Sequence, residues 1–271
     1  MSSVNSVLID NFTTYQATLR SCLDSLGVAG VLKRRKLVII KPNLVNASPF
    51  PVTTHPDMVR ALVEYIRRHS KARLVIAEGC GDAHLETFDV YAALGYDRLA
   101  REYGLELLDL NHEPCRRLKN PLCKVFPEIY LPRTALAGFL ISLPVLKRHS
   151  LAQVTLAMKN MLGLAPPGHY QKGGSWKKSL FHTRMHSSIF ELNMYRKPDL
   201  SIIDASVGMA EYHLGGRICD PPVNRIVAGF DPVAVDSSGA GLLGLSWKDV
   251  PHIRMANRVL GNAYEGQPQR R

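Results

Sequence analysis

Six short runs of β-branched and aliphatic residues recur along the chain, at residues 37–40, 74–77, 105–108, 139–142, 200–203 and 225–228. Apolar runs of this length suit strands buried or half-buried in a sheet, and most are separated by stretches long enough for a crossover helix. Parallel neighbours require such crossovers, because a tight turn can join only antiparallel strands. The alternation therefore predicts an α/β fold: a largely parallel sheet covered by helices on both faces.

Helical periodicity is clearest over residues 55–69, where Met58, Leu62, Val63 and Ile66 share a face and Pro56 suits a first turn. Residues 231–243 and 249–260 are expected to close the chain as two more helices. At 271 residues one large core is sufficient, so a single α/β unit over 1–271 is expected, with scope for two lobes. Residues 166–178 carry two prolines and three glycines among Lys, His and Tyr side chains, which suits an internal lid or binding loop. The proline-rich residues 111–134 show weak periodicity and define no element. Residues 266–271 contain no apolar anchor and are expected to be mobile.

Hydrophobic residues at 46% and charged residues at 21% are ordinary for a folded chain and argue against extended disorder. No apolar stretch reaches about 18 residues, and no basic region precedes an apolar run at the N-terminus. A cytoplasmic location with no membrane partner is the resulting expectation. Cys22, Cys80, Cys115, Cys123 and Cys219 fit no disulfide framework and no zinc or iron–sulfur spacing, so they are expected as reduced thiols. The net charge of +11 calls for an anionic partner. Its basic residues are dispersed apart from short clusters at 33–36, 116–117 and 177–178, and no nucleic-acid-binding motif accompanies them. A small anionic metabolite, or an acidic protein, fits better than specific nucleic acid.

Four constellations could carry chemistry. Lys41-Pro42-Asn43 follows the first strand, where open α/β sheets collect ligands, and Thr53, Thr54 and His55 precede a helix whose free N–H groups can hold an anion. Glu78-Gly79-Cys80-Gly81-Asp82 follows the second strand. There Glu78 could act as a base or cation ligand, and the glycines allow close approach without making a dinucleotide fingerprint. Lys147 and His149 alternate on an extended segment and so share a face, while Thr155 and Lys159 share a face of an expected helix ended by Gly163. Lys159 and Asn160 sit among Ala157, Met158, Met161 and Leu162, an apolar setting in which burial could make a lysine a base. The fourth set is His182 and His186, a helical pair suited to a metal, with Asp204 at a strand end. Asp231 reads as a helix cap, with Asp236 one turn inside.

Taken in order, these stretches resemble the family catalogued as domain of unknown function 362. The resemblance rests on Lys41-Pro42-Asn43, Thr54-His55-Pro56, Glu78-Gly79, Leu143-Pro144 with Lys147 and His149, and Thr155 with Lys159-Asn160 and Gly163. It continues through Pro198-Asp199-Leu200 with Asp204, Gly208-Met209 and the Asp231–Asp236 motif, spanning residues 38 to 261. Many members carry an appended ferredoxin-type module, which implies a redox role; this chain has no such motif, which implies either a separate iron–sulfur partner or a core that works without iron–sulfur clusters. The motif order is also similar in topology to the nickel-dependent lactate racemase family.

Three function classes follow. The first is an enzyme acting on a small carboxylate or phosphate-bearing metabolite, with Lys41, Asn43, Thr54, Lys147, Asn160 and His182 binding the anion. Lys159 or His149 would move the proton, with Glu78 or Asp204 as counterpart. The others are a redox protein served by an iron–sulfur donor, and a non-catalytic metabolite-binding accessory protein. No cofactor is specified, although His149, His182, Glu78 or Asp204 could hold a divalent metal.

Overall fold

The structure, a computed structural model, describes residues 7–266, so the expectation of mobility from residue 267 onward lies outside it. Eleven strands occur among the described residues: β1 (Leu8–Asn11), β2 (Leu37–Pro42), β3 (Arg73–Glu78), β4 (Glu106–Asp109), β5 (Cys115–Lys119), β6 (Glu128–Pro132), β7 (Phe139–Leu143), β8 (Val145–His149), β9 (Gln153–Thr155), β10 (Leu200–Met209) and β11 (Arg225–Gly229). All six expected strands are present.

The main sheet runs β1-β11-β10-β7-β2-β3-β4, with β8 continuing beside β10 and β9 folded back on β8. The block β10-β7-β2-β3-β4 is parallel throughout, whereas β11 runs antiparallel to β10 and β1 antiparallel to β11. The fold is thus α/β with mostly parallel strands.

Strand alternation divides the core between two faces. Ile39, Val75, Leu140, Ile203 and Val227 point one way, toward helices Met185–Tyr195, Pro232–Leu242 and Pro251–Ala256. Val38, Ile40, Ile76, Ile141, Ile202 and Ile226 point the other way, toward helices Tyr15–Ser25, Val28–Leu32, Pro56–His69 and Tyr96–Tyr103. Helix Pro56–His69 starts where expected: His55 caps it through the Asp57 N–H, and Pro56 occupies its first turn.

Other expectations change. The uncertain stretch 111–134 contains the hairpin β5–β6. Residues 249–260 hold only the helix Pro251–Ala256, and residues 166–178 begin with the one-turn helix Pro167–Tyr170. The expected helix through Thr155 and Lys159 is also shorter. Thr155 ends β9, and the helix spans only Ala157–Asn160, passing into a 3₁₀ turn over Met161–Leu164. The reason is the β8–β9 hairpin, whose backbone pairing extends through Thr155 and leaves room for a single helical turn.

Candidate anion-binding cavity

The carboxyl ends of the parallel strands open into a cavity of about 200 Å³, lined by Asn43 after β2, Glu78 from β3, and Lys147 and His149 from β8. The alternation within β8 brings Lys147 and His149 to one side, as expected. The short helix Ala157–Asn160 contributes Lys159 and Asn160 from above. That helix is anchored by the buried Asp236 carboxylate, which accepts the Ala157 and Met158 N–H groups at 2.7 and 3.0 Å. Asp236 thereby ties the lysine-bearing turn to the Pro232–Leu242 helix, itself capped by Asp231.

Glu78 is the lining carboxylate, and Lys41 saturates it. The buried Lys41 Nζ lies 2.8 and 2.7 Å from the two Glu78 oxygens and 3.3 Å from Asn160 Oδ1. Glu78 also accepts the Gly79 N–H at 2.8 Å. Gly163 packs so closely over this pair that a Cβ there would overlap the carboxylate and the ammonium. This glycine is required by contact, not by a positive φ. Burial pushes the Lys41 ammonium down from its ordinary value, and the Glu78 charge opposes that shift.

Lys147, Lys159 and Lys178 also line the cavity, none of them in an ion pair. Lys147 donates to Asn43 Oδ1 and the Val52 carbonyl, both at 2.6 Å. Lys178 donates to Asn111 Oδ1 and to the Ala165 carbonyl. Lys159 is half-buried, and its ammonium has no hydrogen-bonding or ionic partner among the described residues. Burial lowers Lys147 to about 7, reinforced by the Lys159 charge, and lowers Lys159 to about 8 and Lys178 to about 7.

The surrounding histidines are neutral, and their backbone partners set their tautomers. His149 Nδ1 accepts the Leu151 and Ala152 N–H groups at 3.0 and 3.1 Å, so its proton sits on Nε2. His182 Nδ1 lies 2.9 Å from the Lys178 carbonyl, which requires a proton on Nδ1 and leaves a lone pair on Nε2. Burial holds both imidazoles below their usual range, and His213, stacked on His149 at 3.7 Å, is lowered to about 3.

Of the ten site residues expected from sequence, seven line this cavity: Asn43, Glu78, Lys147, His149, Lys159, Asn160 and His182. Lys41 sits immediately behind Glu78. The other two lie elsewhere. Thr54 bridges the Asn43 N–H and the Leu143 carbonyl within the wall. Asp204 is buried beneath the sheet surface, where it accepts from Tyr15 Oη at 2.7 Å and from Ser206 N and Oγ. It was expected at a strand end, but β10 runs on to Met209 and leaves it mid-strand.

The His182–His186 pair is likewise separated. His182 ends one short helix, while His186 begins another and meets His252, with 3.0 Å between their Nδ1 atoms. His149, His182, Glu78 and Asp204 do not form a group of donors close enough to share one ion. The one such group among the described residues is Glu86, Asp109 and His112, which do not line the cavity. Lys178, His213, Trp176 and Tyr212 were missed as site residues. Lys178 and Trp176 fall within the segment singled out as a binding loop, whereas nothing in the local sequence marks His213 or Tyr212.

The family described as Domain of unknown function (DUF362) matches residues 38–241, a stretch that holds every residue lining the cavity, from Asn43 to Leu214. The chain belongs to this family. This DUF362 chain is 25% identical over 248 residues to a thylakoid-associated protein of Synechocystis sp., covering 90% of this chain and 74% of that protein. Its fold is similar to that of the lactate racemase apoprotein from Thermoanaerobacterium thermosaccharolyticum, with a TM-score of 0.50 and 14% identity over 83% of this chain. The DUF362 chain spans about half of the racemase, 54% of its length. No helix of the described residues is long and apolar enough to cross a membrane.

Proposed function

We propose that this DUF362 protein is an enzyme that binds a small organic anion in the strand-end cavity and moves a proton on it. One observation carries the reading. Lys147, Lys159 and Lys178 face a common cavity whose lining carboxylate, Glu78, is already engaged on both oxygens by Lys41. Uncompensated cations at low dielectric repel their own protons, and an anion among them recovers that lost electrostatic energy.

In this reading Lys147, positioned by Asn43, and Lys178 hold the anionic group. Lys159 is the proton-transfer residue. Burial lowers its amine to about 8 and it has no competing partner, whereas two oxygen acceptors each and the bound anion favour the charged forms of Lys147 and Lys178; its free form can take a proton from the carbon beside a carboxylate. His149 cannot be that base, because its Nδ1 lone pair is committed to two backbone N–H groups; its Nε2–H can instead donate to oxygen charge developing on the substrate. Lys41 and Asn160 support Glu78 in place of binding the anion directly.

The likeness to the racemase apoprotein concerns the fold alone, so the test is chemical. The protein is incubated in deuterium oxide with a panel of small 2-hydroxy carboxylates, and exchange of the proton on the carbon beside the carboxylate is followed by NMR. Exchange with at least one acid, lost in Lys159→Met at unchanged fold, is the expected result. Binding of these acids with no exchange by the wild type would instead favour a carrier, and absence of binding would remove the anion site.

A further inference from the structure

The cationic end accounts for only part of the cavity wall. Leu151, Trp176 and Tyr212 are among the large apolar side chains most exposed to solvent, at 54%, 46% and 43%, and all three line this one cavity. They come from three separate segments: the turn after β8, the segment 171–178, and the segment after β10. Leu44, Leu162 and Leu214 extend the same apolar lining. Exposed apolar side chains are unremarkable singly, but their convergence on the mouth of a charged cavity marks a binding surface.

The rings are ordered inward as well. Tyr212 meets His213 edge-on at 4.6 Å, and His213 stacks on His149 at 3.7 Å, so a continuous aromatic wall runs from the mouth to the cationic floor. Neutral imidazoles in such a wall offer flat faces that a planar apolar group can stack on.

We propose that the ligand is an amphipathic organic acid: a carboxylate held at Lys147 and Lys178 beside Lys159, joined to one flat apolar group packed against Trp176, Tyr212 and the His213 face. The proposal rests on the anion reading above and narrows it to a substrate class. A cavity of about 200 Å³ lies below the range of about 300–1,000 Å³ typical of drug-sized ligands, so the acid carries a single ring. A sugar phosphate fits less well, because its hydroxyls would lie against Leu44, Leu151, Leu162 and Leu214, which offer no hydrogen-bonding partner.

Calorimetry on the full chain tests this with acetate, phenylacetate and the neutral analogue benzyl alcohol. Phenylacetate is expected to bind about tenfold or more tighter than acetate, the increment for burying one ring. The phenylacetate-to-acetate affinity ratio is expected to fall toward one in the double variant W176A/Y212A. Equal affinities for the two acids in the wild type, or a ratio unmoved by that double variant, would overturn the amphipathic assignment while leaving the anion site standing. If benzyl alcohol binds as tightly as phenylacetate, or if K147M binds phenylacetate as the wild type does, the anion reading itself fails, and this proposal with it.

Discussion

The Lys41 ammonium and the Glu78 carboxylate, brought together from β2 and β3, lie 2.7 Å apart at their closest in a buried ion pair at the cavity wall. Lys41 saturates both oxygens of the lining carboxylate, and for that reason the remaining lysines face the cavity without a counter-ion.

Breaking this pair from one side should be costly. Glu78→Gln leaves a buried lysine facing a neutral amide, and a loss of about 3 kcal/mol is expected in urea denaturation. The double variant K41M/E78L removes both charges and should recover much of that loss. A single-variant loss under about 1 kcal/mol would show the pair to be solvated.

Gly163→Ala would normally be favourable or neutral in a helical turn without positive φ. Here the new methyl group would collide with Glu78 and Lys41, so a loss of about 1–3 kcal/mol is expected, together with weaker carboxylate binding. Unchanged stability and affinity would mean that the turn over Met161–Leu164 can shift.

The lysines make stability and binding respond oppositely to pH. Their folded values, about 7 for Lys147 and Lys178 and about 8 for Lys159, lie below the ordinary 10.5. Between roughly pH 7 and 10.5 the unfolded chain therefore holds more protons at these sites, so their contribution to stability rises with pH across that window. Their burial cost is fully present below pH 7 and gone above 10.5. Carboxylate affinity should instead fall as pH rises from 7 to 9, with proton uptake on binding measurable near pH 8 by calorimetry in buffers of different ionisation enthalpy. Lys159→Met should raise the Tm at pH 7 and reduce that uptake; an uptake unaltered by this variant would assign the proton elsewhere.

Asp204 separates stability from binding. Asp204→Ala orphans the Tyr15 hydroxyl and the Ser206 N–H in a buried setting, and a loss of about 2 kcal/mol is expected. Phenylacetate affinity should stay within about twofold of the wild type. A large affinity loss at preserved fold would bring Asp204 into the site.

Much of the architecture was legible because strand burial and helix amphipathicity are local, periodic properties of sequence. The six apolar runs, the Pro56 helix start, the Asp231 cap and the shared face of Lys147 and His149 all follow from spacing and propensity. So did the placing of Lys41 and Glu78 at one sheet edge, since each directly follows a predicted strand.

What the chain order alone could not decide was where strands end and what each polar group bonds to. Asp204 was misplaced because β10 continues five residues beyond it, and Thr155 because β9 pairing displaced the expected helix. The partner that removes Glu78 from the cavity's charge balance and the apolar mouth formed by Leu151, Trp176 and Tyr212 both join residues far apart in sequence. Such contacts depend on distance and desolvation in three dimensions, and no local pattern encodes them.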